Sequence, residues 1–105
     1  MDFRVVWSPE AVEDVESLAE YIARDSEFYA RTVVARLFEE TRSLAALPRR
    51  GRVVPELGDE RLRERLVYSY RLIYRVQRQT VTVVAVVHGA RLLPPALKGR
   101  PDVEA

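Results

Sequence analysis

Five side chains of this 105-residue chain have the chemistry to act on a phosphate ester: Arg52, Arg63, Arg71, Arg91 and the single histidine, His88. Guanidinium groups hold phosphate oxygens through paired N–H donors and stay charged throughout the physiological range. Imidazole titrates near neutrality, so His88 has the chemistry to lend or take a proton. RNA cleavage without a metal needs a base for the 2′-hydroxyl, an acid for the leaving 5′-oxygen and cations for the charge that develops on the phosphate. His88 suits the acid or base, and Arg63, Arg71 and Arg91 suit the phosphate clamp. Without any catalysis, Arg52, Arg63, Arg71 and Arg91 equally suit a basic surface that holds a partner. Each has a plain structural use too. His88 precedes Gly89, as a hydrogen-bonded turn residue does, and Arg63-Glu64 suits cross-strand pairing. Tyr68, Tyr70 and Tyr74 alternate as ordinary sheet packing does, and as a base-stacking platform also does.

Much other chemistry is excluded. There is no cysteine, hence no disulfide and no thiolate nucleophile. One histidine without clustered ligands makes no zinc site, so neither a metal nor another cofactor is expected. No apolar run reaches the ~18 residues a spanning helix needs. The start, Met1-Asp2-Phe3-Arg4-Val5, lacks the features of a secretory signal. A cytoplasmic location without a membrane partner is therefore expected. The net charge of +1 hides a division. Residues 1–47 carry ten acids against five bases, a net of −5; residues 48–100 carry twelve bases against four acids, a net of +8. The halves suit each other, and the basic half also suits an acidic partner.

The elements that must position the five residues follow from periodicity. Phe3, Val5 and Trp7 alternate as a strand over residues 3–7. Ser8-Pro9-Glu10 has the form of a helix start, with a serine cap, proline in the first turn and an early acid. Ala11, Val15, Leu18 and Ile22 then place a helix over residues 8–24. Asp25 or Ser26 caps a second helix over residues 26–47, which Pro48 stops. Residues 48–61 read as loop, and Gly51 and Gly89 as turn residues. Strands are expected over residues 62–68, 70–76 and 81–88, joined tightly as an antiparallel meander. Leu92 to Leu97 holds too much proline for a helix. The result is an α+β fold in the order β-α-α-β-β-β, with a helical hairpin on one face of an antiparallel sheet. Residues 1–97 form a single domain and residues 98–105 a flexible tail.

Several local patterns stand in a specific order: Trp7-Ser8-Pro9-Glu10-Ala11 with Asp14, Tyr21-Ile22, Leu47-Pro48, Gly51-Arg52, Pro55-Glu56-Leu57, Leu62-Arg63-Glu64, Tyr70-Arg71-Leu72-Ile73-Tyr74 and Val87-His88-Gly89-Ala90-Arg91. Over residues 3–91 the chain resembles the RelE/ParE toxin superfamily, and its ParE-like, plasmid-stabilisation branch above all. That resemblance implies the toxin of a type II toxin–antitoxin pair, neutralised by a cognate antitoxin. ParE-like members are described as inhibitors of DNA gyrase, whereas RelE-like members cleave mRNA in the ribosome. RelE-like nucleases tend to be rich in lysine around the sheet, and this chain has only Lys98. A gyrase inhibitor, with Arg52, Arg63, Arg71 and Arg91 meeting the target, is thus the first expectation. The alternatives are a metal-free nuclease acting on ribosome and mRNA through His88, Arg63, Arg71 and Arg91, or an inactive relative that only binds antitoxin.

An antitoxin surface is also expected. Val81, Val83, Ala85 and Val87 alternate with Thr82, Val84, Val86 and His88, so both faces of this strand are apolar. With one helical layer, Val84 and Val86 would face outward, and a large exposed apolar patch marks a binding surface. Val12, Ala19, Val34 and Phe38 lie beside the main helical seams as further surplus. These six residues are expected to meet an acidic antitoxin tail that folds on binding. Alternatively, the Pro94-Pro95 segment folds back over the open face.

Overall fold

Serine caps and proline punctuation set the helical half. The computed structural model of the protein describes residues 2–104, so Met1 and Ala105, the ends of the expected domain and tail, lie outside it. β1 (Arg4–Trp7) leads into α1 (Pro9–Ala23) and α2 (Glu27–Ser43). The Ser8 hydroxyl accepts from the Ala11 amide at 3.1 Å, and that of Ser26 from the Tyr29 amide at 3.0 Å. Each therefore satisfies an orphan donor of the first turn. Ala11, Val15, Leu18 and Ile22 of α1, with Ala30, Val33 and Leu37 of α2, form the buried stripes.

Six further elements follow among the described residues: β2 (Arg52–Val53), β3 (Leu62–Val67), β4 (Tyr70–Gln77), β5 (Thr80–His88), the short α3 (Leu93–Leu97) and α4 (Pro101–Glu104). The sheet runs β1-β5-β4-β3-β2. The meander β3-β4-β5 is antiparallel, as expected, and β2 adds a short antiparallel edge. β1 pairs with β5 in parallel, Val5 opposite Val81, so the sheet is mixed rather than wholly antiparallel. A parallel neighbour needs a long crossover, and the helical hairpin together with β2–β4 supplies it. Helix α2 ends at Ser43, four residues before the expected limit, and turns follow before Pro48.

The expected alternation of the last strand breaks in the middle. Ile73 lies opposite Ala85 and Tyr74 opposite Val83, which leaves Val84 as an extra residue in β5. A bulge of this kind moves everything beyond it to the other face. Val83 and Val86 both pack beneath the long helices, while Val84, Ala85 and Val87 pack on the opposite side. Val84 is 0% and Val86 4% exposed, so the expectation that they face outward is corrected. The bulge turns Val86 into the helical core, and α3 covers Val84 through Leu93, Ala96 and Leu97. The expectation of no helix here is corrected as well. Pro94 and Pro95 sit in the first turn of α3, where their missing N–H groups break no helical hydrogen bond.

Among the described residues, no strand pairs with β5 on its β1 side beyond Val83. Side chains take that place. The Val86 amide donates to Asp14 Oδ2 at 2.9 Å, and Arg100 Nη1 donates to the Val84 carbonyl at 2.8 Å. Arg100 also grips Asp14 with two hydrogen bonds, of 2.8 and 2.9 Å.

Gly51 places the loop before β2 by its size. Its amide donates to the wholly buried Tyr74 hydroxyl at 2.9 Å. A Cβ there would stand 2.5 Å from the Glu64 carbonyl oxygen and 2.7 Å from the Tyr74 hydroxyl. Close backbone approach, and no left-handed turn, is why glycine occupies this position. Gly51→Ala is expected to lose ~1–3 kcal/mol of stability by overpacking. Urea unfolding measures it, and an unchanged midpoint would show that the loop is not held there.

Candidate functional site

The face of the sheet away from the long helices carries a chain of alternating charges. Arg52 of β2 lies opposite Glu64 of β3, and Leu66 of β3 opposite Arg71 of β4. Glu64 accepts from Arg71 Nε on one oxygen and from Arg52 Nε on the other, both at 2.6 Å. Arg71 spends its remaining fork on Glu56, with Nη1 at 2.7 Å and Nη2 at 2.8 Å. The side chains of Arg71 and Glu64 are 8% and 1% exposed, whereas that of Arg52 is 65% exposed. Hydrogen bonds from Arg71 hold the Glu56 carboxyl down to about 2, against a smaller opposing effect of burial. The bond to Glu56, then that to Glu64, raises Arg71 above its ordinary range, while burial opposes.

This corrects the expectation that Arg71 lies on an open basic surface, although Arg52 beside it is exposed. Arg71 is a buried cation whose charge is met by two carboxylates, so a phosphate arriving there would compete with Glu56 and Glu64 for it. Arg63 points to the other side of the sheet. Its Nε donates to the Glu60 carbonyl and its Nη1 to the Gly51 carbonyl, each at 3.1 Å, so it props the loop before β2.

His88 and Arg91 do come together, in a cleft of about 430 Å³ shared with Asp14, Ser17, Tyr21 and Tyr70. The Ala90 amide donates to His88 Nδ1 at 3.1 Å. In the neutral ring the free proton therefore sits on Nε2, and service as a base from Nδ1 would first break that turn. The ring stands edge-on to Tyr70 with centroids 5.6 Å apart. Burial, then the nearness of Tyr29 and Tyr21, raises the Tyr70 phenol, so it stays protonated at neutral pH. The five residues thus divide into Arg52 with Arg71, Arg63 alone, and His88 with Arg91.

Four of the residues expected at the antitoxin surface do lie on the outer side of the hairpin. Val12 and Phe38 are exposed, with the Phe38 ring 5.2 Å from that of Trp7. Ala19 and Val34 line a groove between α1 and α2. The role of two buried carboxylates, Glu40 and Glu64, and of the half-buried Asp14 as anchors for arginines was not read from the sequence. Glu40 binds Arg65 at 2.6 Å and Arg50 at 3.7 Å, and Glu64 and Asp14 bind their arginines as described. A signal was available: Glu40 stands three residues after Leu37 on the apolar stripe, and Glu64 alternates with Leu62. An acid at an inward position implies a buried cation.

The family model for the "ParE toxin of type II toxin-antitoxin system, parDE" matches residues 5–93. This chain belongs to the ParE toxin family. Among relatives, it is 36% identical over 90 residues to Toxin RelE2 of Caulobacter vibrioides, covering 85% of this chain and 98% of that protein. The structure titled "Chromosomal ParDE TA system from P. aeruginosa" has the same fold, with a TM-score of 0.68 at 15% identity over 82% of this chain and 95% of that one. Among the described residues of this ParE-family toxin, no helix is long and apolar enough to cross a membrane.

Two stability measurements check the ion-pair chain of this ParE-family toxin. Arg71→Ala strands the buried Glu64 and is expected to cost about 3–5 kcal/mol, whereas Arg91→Ala, at an exposed site, stays within about 0.5 kcal/mol. Equal small losses would place Arg71 in solvent. Glu56 has a folded pKa of about 2 against an ordinary 4.5, so its contribution is present above about 4.5 and is lost as pH falls through about 2. Glu56→Gln should therefore flatten the acid limb of a stability–pH profile over that window. An unchanged limb would contradict the Arg71–Glu56 pairing.

Proposed function

We propose that this ParE-family toxin acts by binding and not by cleaving RNA, that DNA gyrase is its target, and that a cognate antitoxin neutralises it in the cytoplasm. The observation that carries the reading is the occupied state of Arg71. A nuclease clamp needs free guanidinium donors at the phosphate, and here Glu56 and Glu64 hold three of the five N–H donors of Arg71, one each on Nε, Nη1 and Nη2. A binding toxin has no such need. On this reading Arg52 and Arg91, both exposed, touch the target, while Arg63 and Arg71 hold the surface that presents them. The family's description as one half of a parDE pair supports the antitoxin as partner. Val12, Ala19, Val34 and Phe38 on the hairpin are its landing surface; Val84 and Val86, being buried, serve the core instead.

A second reading, a ribosome-dependent mRNA endonuclease, is favoured by one observation: His88 and Arg91 line a common cleft. Induced expression separates the two. Gyrase poisoning is expected to trigger the DNA-damage response while transcripts stay whole, and co-expressed antitoxin restores growth. Halted translation with cleaved transcripts would instead establish the nuclease, and normal growth an inactive relative. His88→Ala is expected to keep most of the toxicity. A general acid or base supplies ~10²–10⁴-fold in rate, so a loss of that order in cleavage of ribosome-bound mRNA would reverse the ranking.

A further inference from the structure

The outer edge of the sheet carries three arginines whose forks stay open. β2 pairs with β3 at Arg52–Glu64 and Val53–Arg63, so among the described residues no strand lies across β3 beyond Glu64. A cleft of about 430 Å³ opens there, lined by Arg50, Arg52, Glu64, Arg65 and Leu66. Each guanidinium is tethered through Nε. Arg52 Nε donates to Glu64 and Arg65 Nε to Glu40, both at 2.6 Å, and Arg50 Nε stands 3.7 Å from Glu40. Among the described residues, no hydrogen bond takes Nη1 or Nη2 of these three arginines. Arg71 differs, with both of those nitrogens on Glu56. The tethering carboxylates Glu40 and Glu64 are buried, whereas Arg50 and Arg52 are exposed.

The loop that brings two of these arginines is held in place. Gly51, between Arg50 and Arg52, gives its amide to the Tyr74 hydroxyl and its carbonyl to Arg63. A planar guanidinium fork held at its Nε loses little further freedom when it takes a phosphate. The lining of the cleft includes no aromatic ring. Single strands are gripped by stacking their bases on such rings, whereas a duplex offers its phosphates without unstacking. Helix α1, by contrast, carries five acids and no base. A polyanion is repelled by that helix and steered toward this edge.

We infer that this edge binds the phosphodiester backbone of duplex DNA, with Arg50, Arg52 and Arg65 each meeting a phosphate and the exposed Leu66 resting against the sugars between them. Contact with the backbone alone reads no base sequence. The inference rests on the gyrase reading for the source of the duplex and deepens it: Arg52 meets the DNA that the enzyme holds.

Fluorescence anisotropy of the full chain with a labelled DNA duplex tests it. Three phosphate contacts predict that log K falls with log salt at a slope of about −2.7. Arg50→Gln with Arg52→Gln leaves Glu40 on Arg65 and Glu64 on Arg71, so circular dichroism should stay unchanged. That double variant is expected to bind at least about tenfold more weakly at low salt and to lose about 2 from the slope. Arg24→Gln with Arg36→Gln removes the same charge from the helices and should leave the slope as it was. In the isotope-labelled chain, the duplex should shift the amides of Gly51, Arg65 and Leu66. No saturable binding up to about 10⁻⁴ M at low salt, an unchanged slope in the Arg50 and Arg52 variant, shifts confined to other surfaces, or tighter binding to a single-stranded RNA of equal length would overturn the proposal. If expression triggers the DNA-damage response while the duplex is not bound, only this inference fails. If the duplex is bound as described while gyrase stays active, the site stands and the gyrase reading falls.

Discussion

One extra residue in β5 sets the phase of both faces of this molecule. Before Val84, the strand offers Val81 and Val83 to the long helices; after it, Val86 takes that side, and Val87 joins Val84 and Ala85 beneath α3. The same place is where β1 stops pairing, so the bulged strand also presents an unpartnered edge. Buried amides and carbonyls need partners. Asp14 and Arg100 supply them, and in doing so tie α1, β5 and the C-terminal segment together. The two-sided core, the capped edge and the position of His88 beside α1 all depend on that insertion.

Away from the bulge, charge decides what the surface can do. Burying Arg71 and Glu64 removes two ions from water, which is costly unless each is fully paired. The network achieves this with the half-exposed Glu56 at one end and the exposed Arg52 at the other. An arginine held in this way is a strut more than a hand. In this member of the ParE family, the exposed arginines of the strand half include Arg52 at the sheet edge and Arg91 in the loop after β5.

Much of the frame was legible because its signals are local. Ser8, Pro9 and Ser26 announce helix starts through chemistry confined to one turn, and the stripes of Ala11 to Ile22 and of Ala30 to Leu37 repeat with the helix itself. Strand β5 was legible from its β-branched content, and β3 and β4 from the short turns that join the meander. The bulge was not, because Val83 to Val87 is apolar throughout and holds no polar residue whose displacement would mark a change of phase. Helix α3 was hidden by its prolines, which forbid a helix interior and permit a first turn. The site was legible as a list of basic residues and not as an arrangement. Arg52, Arg63, Arg71 and Arg91 look alike in sequence, and only the buried Glu64 and the half-exposed Glu56 beside it tell which of them is spent.

The clasp between Asp14 and Arg100 joins positions 86 residues apart, and β1 finds its parallel partner only at Thr80–Val83. Non-local pairings of this kind slow folding relative to a helical bundle of equal length. They also impose an order during synthesis. The helical hairpin leaves the ribosome with its apolar stripes still lacking the sheet that covers them, and that sheet is not closed until β5 has been made. For the interval between, the hairpin stands without β5, and the clasp of Asp14 with Arg100 cannot close until the last residues have been made.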